Sequence, residues 1–146
     1  MLTRRTFVGT ATGALLAAGK RPNVLVVMSD QESGRLPGPA NLPNRQWLQS
    51  TGVTFRSAFC NTPQCSPARS ALLTGLEPNR TGVVTNVDNT SLGKPLPPSM
   101  PTIGTVFQKA GYSTGYFGKW HLGDRGPEQF GFDTASAGKD DDQTPI

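Results

Sequence analysis

Asn23-Val24-Leu25-Val26-Val27-Met28-Ser29 is the stretch whose reading decides the fold. The run is short, rich in β-branched residues and without alternation, the pattern of a strand buried on both faces of a parallel sheet. Asp30, Gln31 and Glu32 follow it directly. In open α/β sheets ligands gather outside the C-terminal ends of the strands, so this polar cluster stands where chemistry is expected. Working outward, Trp47-Leu48 predict a short helix ending near Gly52, and Val53 to Phe59 alternates as a half-buried strand does. Ser66-Pro67 predicts a helix start, with Ser66 as N-cap, Pro67 at the first helical position and Gly75 as terminator. The prolines from Pro95 to Pro101 read as a rigid surface connection. Ile103, Val106, Phe107 and Ala110 recur at helical spacing, Gly111 stops that helix, and Tyr112 to Phe117 reads as a further strand. Strand, helix and strand repeat, which makes the class α/β with a mainly parallel sheet.

The chain of 146 residues is sized for one domain, with 35% hydrophobic and 16% charged residues. Its 17 Gly and 13 Pro show no period and lie between apolar runs, which excludes collagen-like and disordered chains and predicts abundant loops. Thr3-Arg4-Arg5-Thr6-Phe7 precedes a weakly apolar stretch from Val8 to Ala18. That is the layout of an export signal over residues 1–19, and the paired arginines before Phe7 resemble a twin-arginine signal. A bacterial periplasmic or extracellular protein is the expectation. Without Arg4 and Arg5, 12 basic residues face 10 acidic ones, and no basic stripe interleaved with aromatics appears, so nucleic acid is excluded as partner. No apolar run reaches the roughly 18 residues of a membrane span. Cys60 and Cys65 are the only cysteines, which excludes a disulfide scaffold and leaves one local bridge open.

The segment richest in chemistry is Cys65-Ser-Pro67-Ala-Arg69-Ser-Ala-Leu-Leu-Thr-Gly75. Cys65 stands at a predicted helix N-terminus, where unpaired N–H groups favour negative charge, and Arg69 follows one turn later on the same face. A cationic neighbour and a helix start would both activate a nucleophile at position 65.

Here the sequence resembles the type I, formylglycine-dependent sulfatases of the alkaline phosphatase superfamily, whose signature is Cys-x-Pro-x-Arg followed by Leu-Thr-Gly. A second motif of that family stands at Gly111-Tyr112-Ser-Thr-Gly-Tyr-Phe-Gly118-Lys119-Trp120-His121-Leu122-Gly123, and a third is the run from Asn23 into Asp30. The resemblance implies an alkaline-phosphatase-like sheet flanked by helices. It also implies that a formylglycine-generating enzyme converts Cys65 to formylglycine, whose hydrated aldehyde attacks the sulfur of a small-molecule or carbohydrate sulfate ester. A serine in that place would be stranded as a stable sulfate ester, whereas a gem-diol can expel sulfate and return to the aldehyde. Arg69 would hold the formylglycine and offset charge, Lys119 would contact it and a sulfate oxygen, and His121 would assist proton transfer. Asp30, Gln31 and the modified Cys65 would bind one divalent metal, Ca²⁺ by family expectation. Gln31 stands where the family usually has a second aspartate, a choice shared with related phosphonate monoester hydrolases.

Family members are several times longer, and their downstream metal ligands and C-terminal subdomain are missing from these 146 residues. Residues 20–146 are therefore expected to be the N-terminal part of a catalytic domain, inactive alone. The competing expectation is a non-catalytic remnant that binds an anion at the helix start after Cys65 through backbone N–H groups and Arg69.

Overall fold

A computed structural model describes residues 21–32, 42–88 and 92–137. The chain divides into two compact units, Met1–Ala40 and Asn41–Ile146. The export signal at 1–19 lies outside the described residues.

In the first unit, Asn23 to Ser29 is not a strand, and its apolar side chains from Val24 to Met28 are exposed. The sequence pattern was that of a central parallel strand, but such a strand needs paired edges and covered faces. Among the described residues only one small sheet exists, and this run is not in it.

The helices and strands of the described residues lie in the second unit. Helix α1 (Pro43–Thr51) ends at Gly52, as read from the sequence, and its start is marked by Pro43 in the first turn; it buries none of its residues. Val53 to Phe59 is likewise exposed and forms no strand among the described residues, because alternation alone does not make a strand. Helix α2 (Cys65–Thr74) stops at Gly75 in the left-handed conformation, φ 70°. Its start corrects the sequence reading: Gln64 is the N-cap, and Ser66 and Pro67 lie inside the first turn. Ser66 is diverted from capping because its Oγ accepts a bond from the Val87 N–H at 3.0 Å. The short α3 (Pro78–Thr81) packs back on α2 through the buried Ser70 and Thr81 hydroxyls, 3.1 Å apart.

Helix α4 (Ile103–Lys109) has a reciprocal cap between Thr102 and Thr105, each hydroxyl accepting from the other's backbone N–H. Thr102 Oγ1 also donates to the Phe130 carbonyl at 2.5 Å, which docks the helix start against the Phe130 backbone. Gly104 permits that approach, since a β-carbon there would stand 2.7 Å from the Phe130 carbonyl oxygen and 2.9 Å from the Phe132 ring.

The expected strand after Gly111 is confined to β1 (Gly115–Phe117), which pairs in parallel with β2 (Thr134–Ser136), Tyr116 opposite Ala135. A 3-10 turn (Pro127–Phe130) lies on the connection between them. The class is α/β with parallel pairing, as expected. The core is Leu73, Val83, Leu96, Trp120, Leu122, Phe130 and Phe132, with Val87, Met100 and Tyr116 packed against it. Leu96 is buried within the stretch read as a surface connection, held by its N–H bonding to the Leu122 carbonyl at 3.0 Å. The β1-to-core passage thus sits beside α2, and that juxtaposition builds the site.

Candidate active site

Cys65 is half-buried at the first position of α2, and neither it nor the exposed Cys60 forms a disulfide. Arg69, one turn on, is only 6% exposed. Its Nη1 donates to the Lys119 carbonyl at 2.6 Å and to Tyr116 Oη at 3.4 Å. The two segments singled out in the sequence therefore meet: the Cys65 helix and the Lys119–His121 segment are fastened by a charge-assisted hydrogen bond. A buried guanidinium is costly unless its donors are satisfied, so this bond is also a condition of Arg69 lying where it does.

Lys119 is half-buried and follows Gly118, whose φ of 108° turns the chain out of β1. Two residues later His121 is 9% exposed with φ 54°. Among the described residues, Gln31 and His121 are the non-glycine residues with positive φ, and both are residues that the sequence pointed to. Left-handed backbone at a non-glycine residue costs of order 1 kcal/mol or more and persists where its surroundings hold it. His121 Nδ1 and Trp120 Nε1 are buried without a hydrogen-bond partner among the described residues. A buried imidazole nitrogen with an unused bond is a group able to accept or deliver a proton, given a reactant beside it.

Two residues that sequence reasoning passed over belong to this region. Tyr116 Oη donates to the Lys119 carbonyl at 2.5 Å. Burial pushes its phenol above the ordinary tyrosine range, and the positive charge and hydrogen bond of Arg69 pull it partly back, so it remains a neutral donor. Its place three residues before Lys119, at an inward position of a strand, was the available signal. Asn86 is the other: its Oδ1 accepts the Ser66 N–H at 3.1 Å, while Ser66 Oγ takes the Val87 N–H. Nothing in the local sequence spacing marks Asn86 as a cap for a helix that begins twenty-one residues earlier.

This capping bears on the anion-binding alternative. The Ser66 N–H is spent on Asn86, Pro67 has none, and the Ala68 N–H returns to the Gln64 carbonyl at 3.1 Å. The helix start thus has few donors left for an anion.

Asp30 and Gln31 lie in the first unit and are exposed. A carboxylate and an amide carbonyl suit a hard cation in kind, but Ca²⁺ takes about 6–8 oxygens. Among the described residues no three His, Cys, Asp or Glu side chains come together to hold a metal. The donors present match the ion in type and fall short in number. No helix among the described residues is long and apolar enough to cross a membrane.

A parallel α/β arrangement with a nucleophile candidate at a helix start defines the class, and comparison with known proteins gives the particular family. Residues 22–145 match the family described as Sulfatase, and the chain belongs to that family of sulfuric ester hydrolases. It is 42% identical over 108 residues to "Uncharacterized sulfatase YidJ" of Escherichia coli, covering 70% of this chain and 20% of that one. Against human "Arylsulfatase G" it is 37% identical over 123 residues, 79% of this chain and 23% of that one. A solved chain described under the metabolism of multiple glycosaminoglycans by Bacteroides thetaiotaomicron superposes with a TM-score of 0.52 at 28% identity, over 64% of this chain and 22% of that chain. The chain thus spans about a fifth to a quarter of the length of these relatives.

Proposed function

We propose that the protein hydrolyses sulfate esters through a formylglycine made from Cys65, with Arg69, Lys119 and His121 as the catalytic residues around it. The observation that carries this reading is the 2.6 Å bond from Arg69 Nη1 to the Lys119 carbonyl, which joins the two motifs across fifty residues of sequence. In the reaction, one hydroxyl of the hydrated aldehyde attacks sulfur and the alcohol leaves with a proton. The second hydroxyl then gives up its proton, the carbonyl re-forms, and the C–O bond to sulfate breaks. His121 is the group to handle those protons, because its ring is buried and Nδ1 has no other partner among the described residues. Arg69 and Lys119 supply the positive charge that offsets charge building on the sulfuryl oxygens. Asp30 and Gln31 are proposed as ligands of a divalent cation, Ca²⁺ by donor type, which when bound would supply positive charge to its ligands' surroundings.

A sulfated carbohydrate is the proposed substrate class, supported by relatives such as the "Delta 4,5-hexuronate-2-O-sulfatase" and "Endo-4-O-sulfatase" of Bacteroides thetaiotaomicron, 33% and 35% identical. Export by way of residues 1–19 belongs to the same proposal, on the strength of Arg4-Arg5-Thr6-Phe7. A formylglycine-generating enzyme is the proposed maturation partner. Ser66, Pro67 and Arg69 are buried in the folded chain, which supports conversion of Cys65 before α2 forms.

Co-expression with such an enzyme tests the reading. The tryptic peptide ending at Arg69 should lose mass and react with a hydrazide, Cys65→Ala should abolish both changes, and Cys60→Ala should preserve them. The longest polypeptide that the gene encodes should then cleave an aryl sulfate in preference to an aryl phosphonate. An unmodified Cys65 beside a converted control peptide would overturn the nucleophile, and preference for the phosphonate would overturn the substrate class.

A further inference from the structure

We propose that Tyr116 is a positioning residue of this site, its phenol sharing the Lys119 carbonyl with Arg69 so as to fix the turn that carries Lys119 and His121. The role rests on the sulfatase reading above, since it is for that chemistry that Lys119 and His121 need placing. Tyr116 Oη donates to the carbonyl at 2.5 Å and Arg69 Nη1 at 2.6 Å, with 3.4 Å between the two donors. A carbonyl oxygen has two lone pairs, and this one has a donor on each. One oxygen is therefore held from its own strand and from α2 together.

The segment needs holding. Gly118 at φ 108° and His121 at φ 54° put two left-handed residues within four positions, a path that the chain does not take by preference. Lys119 stands between them, so freedom at its carbonyl becomes freedom in the direction of the Lys119 and His121 side chains. Tyr116 restrains that freedom because its ring is itself fixed. It lies edge-on to Trp120, centroids 5.1 Å apart at 89°, and to Phe132, 5.3 Å at 65°. Strand alternation explains why Tyr116 faces inward while Phe117, its neighbour, is 73% exposed. Burial keeps the phenol protonated through the neutral range, so the donor is present whenever the enzyme works.

Phenylalanine at 116 removes the hydroxyl and keeps the ring packing, so the clamp can be separated from the core. In the longest polypeptide that the gene encodes, matured at Cys65, Tyr116→Phe should lower kcat on an aryl sulfate on the order of tenfold, with KM within about twofold. Its thermal midpoint should stay close to wild type. The guanidinium NMR signals of Arg69, assigned by their absence in Arg69→Lys, should shift. Tyr116→Leu should lose the same activity and also melt earlier, through loss of the ring. A Tyr116→Phe protein with unchanged kcat, or with Arg69 signals unmoved, would overturn the proposal. If the wild type cleaves no sulfate ester, the sulfatase reading fails by itself, and the Arg69 signals alone decide the clamp, with shifted signals supporting it and unmoved ones overturning it.

Discussion

His121 combines three properties that seldom coincide: a left-handed backbone, burial, and an Nδ1 without a hydrogen-bond partner among the described residues. Left-handed backbone at a non-glycine residue costs about 1–3 kcal/mol and persists where its surroundings hold it. Strain of that kind clusters at functional sites, which supports the proton-handling role proposed for His121. Asparagine tolerates the left-handed conformation better than most residues and is smaller than the imidazole. His121→Asn should therefore fold with a thermal midpoint within a few degrees of wild type, while sulfate-ester hydrolysis by the matured full-length protein falls on the order of 10²-fold or more. His121→Val should lose stability as well, because a β-branched residue is strained at positive φ. Full activity in the asparagine variant would show that the ring has no part in proton transfer.

Within the second unit one exposed carboxylate ties α4 to the starts of β1 and β2. Asp133 accepts bonds from Gln108 Nε2 at 2.6 Å, from the Thr114 N–H at 2.9 Å and from the Thr114 hydroxyl at 3.0 Å, linking α4 to the entrances of β1 and β2. The Gln108 bond first, and then the Thr114 bonds, hold its carboxyl below the ordinary aspartate range. A depressed folded-state pKa means that the unfolded chain binds the proton more tightly. The stabilisation is then present above the unfolded value of about 3.9 and is lost as pH falls through the folded one. Asp133→Asn should lower the urea midpoint at pH 7, read by Trp120 fluorescence, and the deficit should shrink at pH 2.5; an equal deficit at both would refute the clasp. Neither Asp133 nor Gln108 stood out in the sequence, because the clasp joins residues 19 to 25 positions apart. Helices α1, α2 and α4 were legible, since glycine stops and 3.6-residue spacing are local signals, whereas the start of α2 was misplaced by two residues because Ser66 bonds Val87 in place of capping. The strands were less so. Residues 23–29 and 53–59 carry strand composition, yet a strand exists only with a partner, and composition does not say whether one is at hand. At the site, Cys65, Arg69, Lys119 and His121 were legible as motifs, whereas Tyr116 and Asn86 emerged only once the fold had brought them beside Lys119 and Ser66.

At the scale of the whole molecule the distribution of apolar surface is the dominant fact. Seven buried residues form the core of the second unit, while Leu25 is 86% exposed, Phe59 92% and Trp47 64%. Isolated exposed apolar residues are ordinary on soluble proteins. Here they come in runs, Val24 to Met28 in the first unit and Val53, Phe55 and Phe59 in the second, and α1 buries nothing at all. Apolar exposure of that kind favours association, since each aliphatic side chain removed from water contributes about 1.5–3 kcal/mol. The run Asn23–Ser29, which belongs to no sheet among the described residues, adds a strand-like backbone on which a second chain can pair. Purified residues 20–146 should therefore sediment as a mixture larger than the monomer, bind a hydrophobic dye strongly and unfold over a broad temperature range. Val27→Lys together with Phe59→Lys should reduce both sedimentation coefficient and dye binding, while leaving the signals of the Leu73–Phe132 core in place, because neither residue belongs to it. A monomer with a sharp transition and no dye binding would mean that these runs are covered in solution by the chain itself.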